Sequence, residues 1–102
     1  MSLEELRKQI DEIDDELTAL FQKRMDICAK IASAKKQNNL PVYDPKRERQ
    51  KLRDLSDKAK KGRETQIAAL YSLIFELSRA EQERIINPKS ELMDKSSNSE
   101  VV

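Results

Sequence analysis

Apolar residues recur at Leu6, Ile10, Ile13, Leu17, Leu20, Ile27, Ile31 and Ala34, spaced alternately by four and three once position 24 is admitted to the series. A stripe of that length predicts one long amphipathic helix packed against partner helices. Position 24 is Arg24. Taking a guanidinium out of water costs several kcal/mol unless anions and hydrogen-bond acceptors meet it, so the rest of the chain has to supply something for Arg24. Ser2-Leu3-Glu4-Glu5 forms a capping box that starts the helix. Asn38, Asn39 and Pro41 stop it after about Gln37. At about 1.5 Å per residue it is roughly 50 Å long, whereas a compact domain of this size is about 30 to 35 Å across. Such a helix overhangs a compact monomer, and association with a second copy is the simplest way to bury its stripe.

Asp44-Pro45 opens a second helix, with Asp44 as N-cap and Pro45 at the first helical position. Its inward side reads Leu52, Leu55 and Ala59, and one turn back from Leu52 comes Glu48, inward like Arg24. Gly62 is expected to end this helix near Lys61 as a left-handed cap. Thr65 is the expected N-cap of a third helix, which faces inward through Ile67, Leu70, Tyr71, Ile74, Leu77 and Ile85 and is closed by Pro88. Ser78 and Gln82, four apart and therefore adjacent, share that face. Residues 89–102 are Ser, Asn and charge with few apolar residues and read as a disordered tail. No repeat and no alternating strand pattern is visible. The reading is an all-α domain over 1–88, three helices with a very long first one, associated with a second copy of itself.

Composition agrees with helices and narrows the chemistry. The 102 residues are 38% charged, with a single Gly and no Trp, and the net charge of +1 draws the chain to neither nucleic acid nor an anionic membrane. The basic cluster from Lys46 to Arg63 is interleaved with Glu48, Asp54 and Asp57 and reads as a solvated helix face. The absence of histidine excludes imidazole ligands, imidazole bases and Ser-His or Cys-His nucleophile pairs. Cys28 stands alone, so there is neither an internal disulfide nor a zinc cluster, and it reads as a small buried hydrophobe. The N-terminus is charged from Glu4 onward and no run reaches membrane-spanning length, which points to a cytoplasmic protein.

Each helix thus sets polar side chains on its inward face: Arg24 and Lys35 on the first, Arg47 and Glu48 on the second, Ser78 and Gln82 on the third. Arg24 and Lys35 lie three turns apart at nearly the same azimuth, about 16 Å along the axis. Two long side chains leaning together can both touch one small molecule in that gap. Taken singly, each of these residues has an ordinary explanation as a helix-edge group, a surface pair or a residue fixing register. Their recurrence on three helices favours a site. Cations outnumber carboxylates there, so the ligand is a small anion, with carboxylates suited to bidentate arginine contacts. Nothing resembles a nucleophile with its base. Any chemistry works by holding the substrate's shape and stabilising charge that develops during reaction.

The pattern Leu6-Arg7 with Ile10, Ile13-Asp14 with Leu17, then Arg24, Lys35, Val42-Tyr43-Asp44 with Arg47-Glu48, and finally Ser78 with Gln82, resembles the all-helical, AroQ-class chorismate mutases over about residues 3 to 86. The resemblance implies a cofactor-independent [3,3] rearrangement of chorismate to prephenate, the branch-point step toward phenylalanine and tyrosine. Carried over by motif, Arg24 and Arg47 grip substrate carboxylates with Ser78 assisting, and Lys35 and Gln82 donate to the ether oxygen. Glu48 and the backbone amide of Asp44 hold the ring hydroxyl. Arg7 matches the family's remaining carboxylate-binding arginine. It stands roughly 42 Å from Lys35 along a straight helix, so if both serve one site Arg7 comes from the other subunit, which implies an intertwined helical homodimer with two sites built from both chains. One position departs from the pattern: Lys51 stands where the family usually carries an aliphatic residue against the substrate ring. Two other readings compete. One is an isochorismate pyruvate-lyase of the same fold, and the other is a non-catalytic helical dimerisation module whose polar residues only specify pairing.

Overall fold

The computed structural model describes residues 1–88, and the expected tail lies outside the described residues. Three helices follow one another: α1 (Leu3–Gln37), α2 (Pro45–Lys58) and α3 (Glu64–Ile86), with no strand among the described residues. The expected capping box closes α1. The Ser2 hydroxyl accepts from the Glu5 N–H at 3.1 Å and the Ser2 N–H donates to the Glu5 carboxylate at 3.3 Å. At its other end Asn39 takes the left-handed conformation (φ 54°). The Leu40 N–H then returns to the Lys35 carbonyl at 2.8 Å and the Asn39 N–H to that of Lys36 at 3.3 Å, which is the Schellman closure. This turn matters for function, because it folds the chain back against Lys35.

α3 packs against both other helices, while the backbones of α1 and α2 do not pack closely on each other among the described residues. The molecule is elongated, 53 × 36 × 23 Å. Its radius of gyration is 17.6 Å, against about 13 Å for a compact chain of this length. The buried apolar core is correspondingly small: Cys28, Ala32 and Phe75.

The heptad stripe is not what α1 turns toward α3. The covered strip lies beside it, through Phe21, Arg24, Met25, Cys28 and Ala32, while Leu6, Ile10, Ile13, Leu17, Leu20, Ile27 and Ile31 remain 42–62% exposed. A heptad pattern marks the apolar face of a helix without saying whether the partner helix belongs to the same chain.

Two helix ends differ from expectation. α2 stops at Lys58, with Ala59 extended (φ −67°, ψ 147°), short of Gly62. The run from Lys58 to Lys61 offers only the small Ala59 to hold it on α3. Gly62 (φ 93°) instead makes the following turn. That turn delivers Arg63 already in the helical region, so Arg63 rather than Thr65 is the N-cap, without a side-chain cap bond. The Glu64 carboxylate takes up the Gly62 N–H at 2.9 Å.

Candidate active site

The polar residues expected to face inward are brought together in a cleft of about 310 Å³ between the C-terminal half of α1, the first turns of α2 and the middle of α3. α1 contributes Arg24 and Lys35, α2 and its cap contribute Asp44, Arg47 and Glu48, and α3 contributes Ser78 and Gln82. A cleft of this size suits a small metabolite. Apolar walls come from Ile31, Val42 and Phe75.

What meets Arg24 is not an anion. Its Nη1 donates to Ser78 Oγ at 2.5 Å and lies 3.7 Å from Cys28 Sγ, and its Cζ stands 5.9 Å from the centre of the Tyr71 ring. Among the described residues no carboxylate lies within ion-pair distance of Arg24. Ser78 is 6% exposed, and its own hydroxyl donates back to the Ile74 carbonyl at 2.7 Å. With its proton spent on Ile74 and a lone pair on Arg24, Ser78 fixes the arginine. The other guanidinium N–H groups keep their capacity for a carboxylate.

Lys35 and Gln82 form a second unit. Lys35 Nζ donates to the Val42 carbonyl and to Gln82 Oε1, both at 2.7 Å. The first bond exists because the Schellman turn brings residue 42 back over α1. The second holds the Gln82 amide oxygen, which leaves the amide nitrogen as the group able to donate into the cleft. Gln82 is 7% exposed, and no buried side-chain nitrogen or oxygen lacks a partner among the described residues. One ammonium proton and one amide N–H pair can thus converge on an electron-rich atom.

Asp44 acts as the expected N-cap, its Oδ1 accepting from the Arg47 N–H at 3.0 Å and its carbonyl from the Glu48 N–H at 3.1 Å. This sets Arg47 and Glu48 on the first turn of α2, facing the cleft. Glu48 does not pair with its neighbour Arg47. Both its oxygens accept from Nη1 of Arg79, at 2.6 and 2.7 Å. That bond pushes the Arg79 guanidinium further above its ordinary range, so Arg79 stays charged throughout the working range of pH. The Arg79 guanidinium also lies 5.2 Å from the centre of the Tyr43 ring. Sequence reasoning missed Arg79. The available signal was its helical spacing, three before Gln82 and four after Phe75, which puts it on the inward face of α3.

Lys51 lines the cleft, half-buried. Arg7 does not reach it: this residue is exposed near the opposite end of α1, roughly 42 Å from Lys35 by helix rise. Between the two ends, Leu17, Leu20, Phe21, Leu70, Leu73 and Leu77 border an open groove of about 440 Å³ that is almost wholly apolar.

The fold and site together define a class: helical proteins with one overlong helix and a cationic cleft in which, among the described residues, no nucleophile is paired with a base. The family described as chorismate mutase type II matches residues 6–83, and the chain belongs to that family. It is 43% identical over 47 residues to the T-protein of Haemophilus influenzae, a stretch of 46% of this chain and 12% of that protein. It is 34% identical over 83 residues to the bifunctional chorismate mutase/prephenate dehydratase of Buchnera aphidicola, 79% of this chain and 22% of that one. The chain thus spans less than a quarter of the length of these curated relatives. Among solved structures, chorismate mutase from Helicobacter pylori in complex with prephenate superposes with a TM-score of 0.74 at 40% identity, covering 82% of this chain and 92% of that one.

Proposed function

We propose that this chain catalyses the rearrangement of chorismate to prephenate in aromatic amino acid biosynthesis, a cytoplasmic activity requiring no cofactor. The observation that carries the reading is the Lys35–Gln82 unit set opposite Arg47 and Glu48 in one cleft, in a chain of the chorismate mutase type II family. Arg24, already oriented by Ser78, and Arg47 grip the two substrate carboxylates and hold the molecule folded so that the bond-forming ends meet. Orientation of this kind can supply roughly 7 to 11 kcal/mol of a barrier. As the C–O bond breaks, the ether oxygen gains negative charge, and Lys35 Nζ and Gln82 Nε2 stabilise it more than they stabilise the ground state. Glu48 and the Asp44 amide receive the ring hydroxyl.

The active form is a homodimer. The exposed stripe of α1 and the apolar groove beside it fit a second copy of the same long helix, because an isologous pairing buries the same face on both chains. Antiparallel α1 helices also place Arg7 of one chain at the Arg24–Lys35 cleft of the other, where it joins the carboxylate grip.

The test is chorismate consumption by the purified protein, with products separated by chromatography and Lys35→Ala run alongside. Prephenate from wild type and near-loss of turnover in the variant are the expected results. Salicylate from isochorismate, with chorismate untouched, would replace this reading with the lyase. Full activity in Lys35→Ala and Gln82→Ala would remove their catalytic role.

A further inference from the structure

α1 holds the segment leading into α2 through the Lys35–Val42 hydrogen bond at 2.7 Å, while the backbone of α2 itself packs against α3 and not against α1 among the described residues. The side chain that bridges α2 and α3 inside the cleft is Arg79. A single nitrogen sits between both oxygens of Glu48, at 2.6 and 2.7 Å. The same guanidinium rests on Tyr43, immediately before the α2 cap. Both partners remain partly open, at 35% and 21% side-chain exposure. A pair this exposed adds little stability, so its consequence lies in geometry and charge. A carboxylate has about four acceptor positions, and a nitrogen held between its oxygens leaves the outer ones available for a hydroxyl. An unpaired Glu48 would also repel a dianionic ligand that Arg24 and Arg47 attract.

We infer that Arg79 is the positioning residue for Glu48, fixing its carboxylate to receive the substrate hydroxyl and offsetting its charge beside the substrate's carboxylates. This inference rests on the mutase reading above. Arg79 acts through Glu48 and need not touch the reacting atoms.

The experiment is a double-mutant cycle on the full chain with chorismate as substrate, measuring kcat and KM for wild type, Arg79→Met, Glu48→Gln and the double variant, with thermal melts of each. Arg79→Met should lower kcat by about 10- to 100-fold, the scale of misplacing a contact by an ångström, with a smaller rise in KM. In the Glu48→Gln background the same change should cost less than about threefold, because coupled residues are not additive. Arg79→Lys keeps charge and fold but not the planar grip, and should fall between Arg79→Met and wild type. If Arg79→Met matches wild type, or costs the same factor with and without the Glu48 carboxylate, the inference is overturned. If Arg79→Met melts before assay, Arg79→Lys decides, and wild-type kcat in that variant overturns the inference. A wild type that leaves chorismate untouched ends the mutase reading and this inference with it. An active wild type with indifferent Arg79 variants ends this inference alone.

Discussion

The two halves of α1 differ in what the chain provides for them. From Phe21 to Lys35 the helix lies against α3, Arg24 and Lys35 have their hydrogen bonds, and Cys28 and Ala32 are buried. From Leu3 to Leu20 every residue is exposed, although Leu6, Ile10, Ile13, Leu17 and Leu20 are as apolar as anything in the core. An isolated helix of that length is marginal in water. Covering the exposed half of five such side chains is worth on the order of 1 kcal/mol each, which makes association the natural source of stability for the bare half. The two halves of one helix thus differ in what this chain gives them: one completes a cleft, and the other leaves its apolar face bare, as the proposed pairing requires.

The largest effect should come from breaking the bare half. Leu17→Glu sets a charge into the stripe and, in a symmetric pairing, does so twice. We expect the dimer to dissociate in light scattering and the melting temperature to fall sharply, because an unpaired buried charge costs several kcal/mol. A wild-type monomer, or a Leu17→Glu variant that stays dimeric, would refute the pairing. The covered half is broken differently. Gln82→Ala should lower kcat about 100- to 1000-fold, as loss of one donor to a developing oxyanion does, while the dimer persists. Unchanged kcat would take Gln82 out of the chemistry.

A third experiment joins the halves. Arg7→Ala and Lys35→Ala, each expected to be nearly inactive alone, should regain about a quarter of wild-type activity when unfolded and refolded as an equimolar mixture, since half the dimers then hold one intact site. No recovery on mixing would mean that Arg7 and Lys35 do not meet across subunits.

Most of the fold is legible in the sequence. The Ser2–Glu5 box, the Asn-Asn-Leu-Pro stop and the Asp44-Pro45 start are local devices, and each appears where the sequence puts it. The helix ends around Gly62 were not legible, because a lone glycine near a helix end serves equally as a cap or as a turn. The site was legible wherever polar groups interrupt an apolar series, as Arg24, Ser78 and Gln82 do. Arg79 interrupts nothing: it lies at the border of the α3 face, and its role depends on a carboxylate from another helix. Which strip of α1 turns toward α3 was not legible either, because two adjacent strips share the same periodicity and only the neighbouring helix chooses.

The smallest effect sharpens the comparison most. Ser2→Ala removes the capping-box hydroxyl and should cost about 1 kcal/mol of helix stability. Fraying is confined to the first turns, where no other part of the chain holds the helix. Amide exchange should therefore accelerate over the first turns of α1, and amides near Lys35 should not change. Arg7 stands one turn beyond the cap. If the bare half serves the partner's cleft, KM for chorismate should rise by a small factor while kcat holds, because Arg7 is then ordered less of the time before binding. An unchanged KM with accelerated exchange would separate the first turns from the site and leave the dimer's role purely structural.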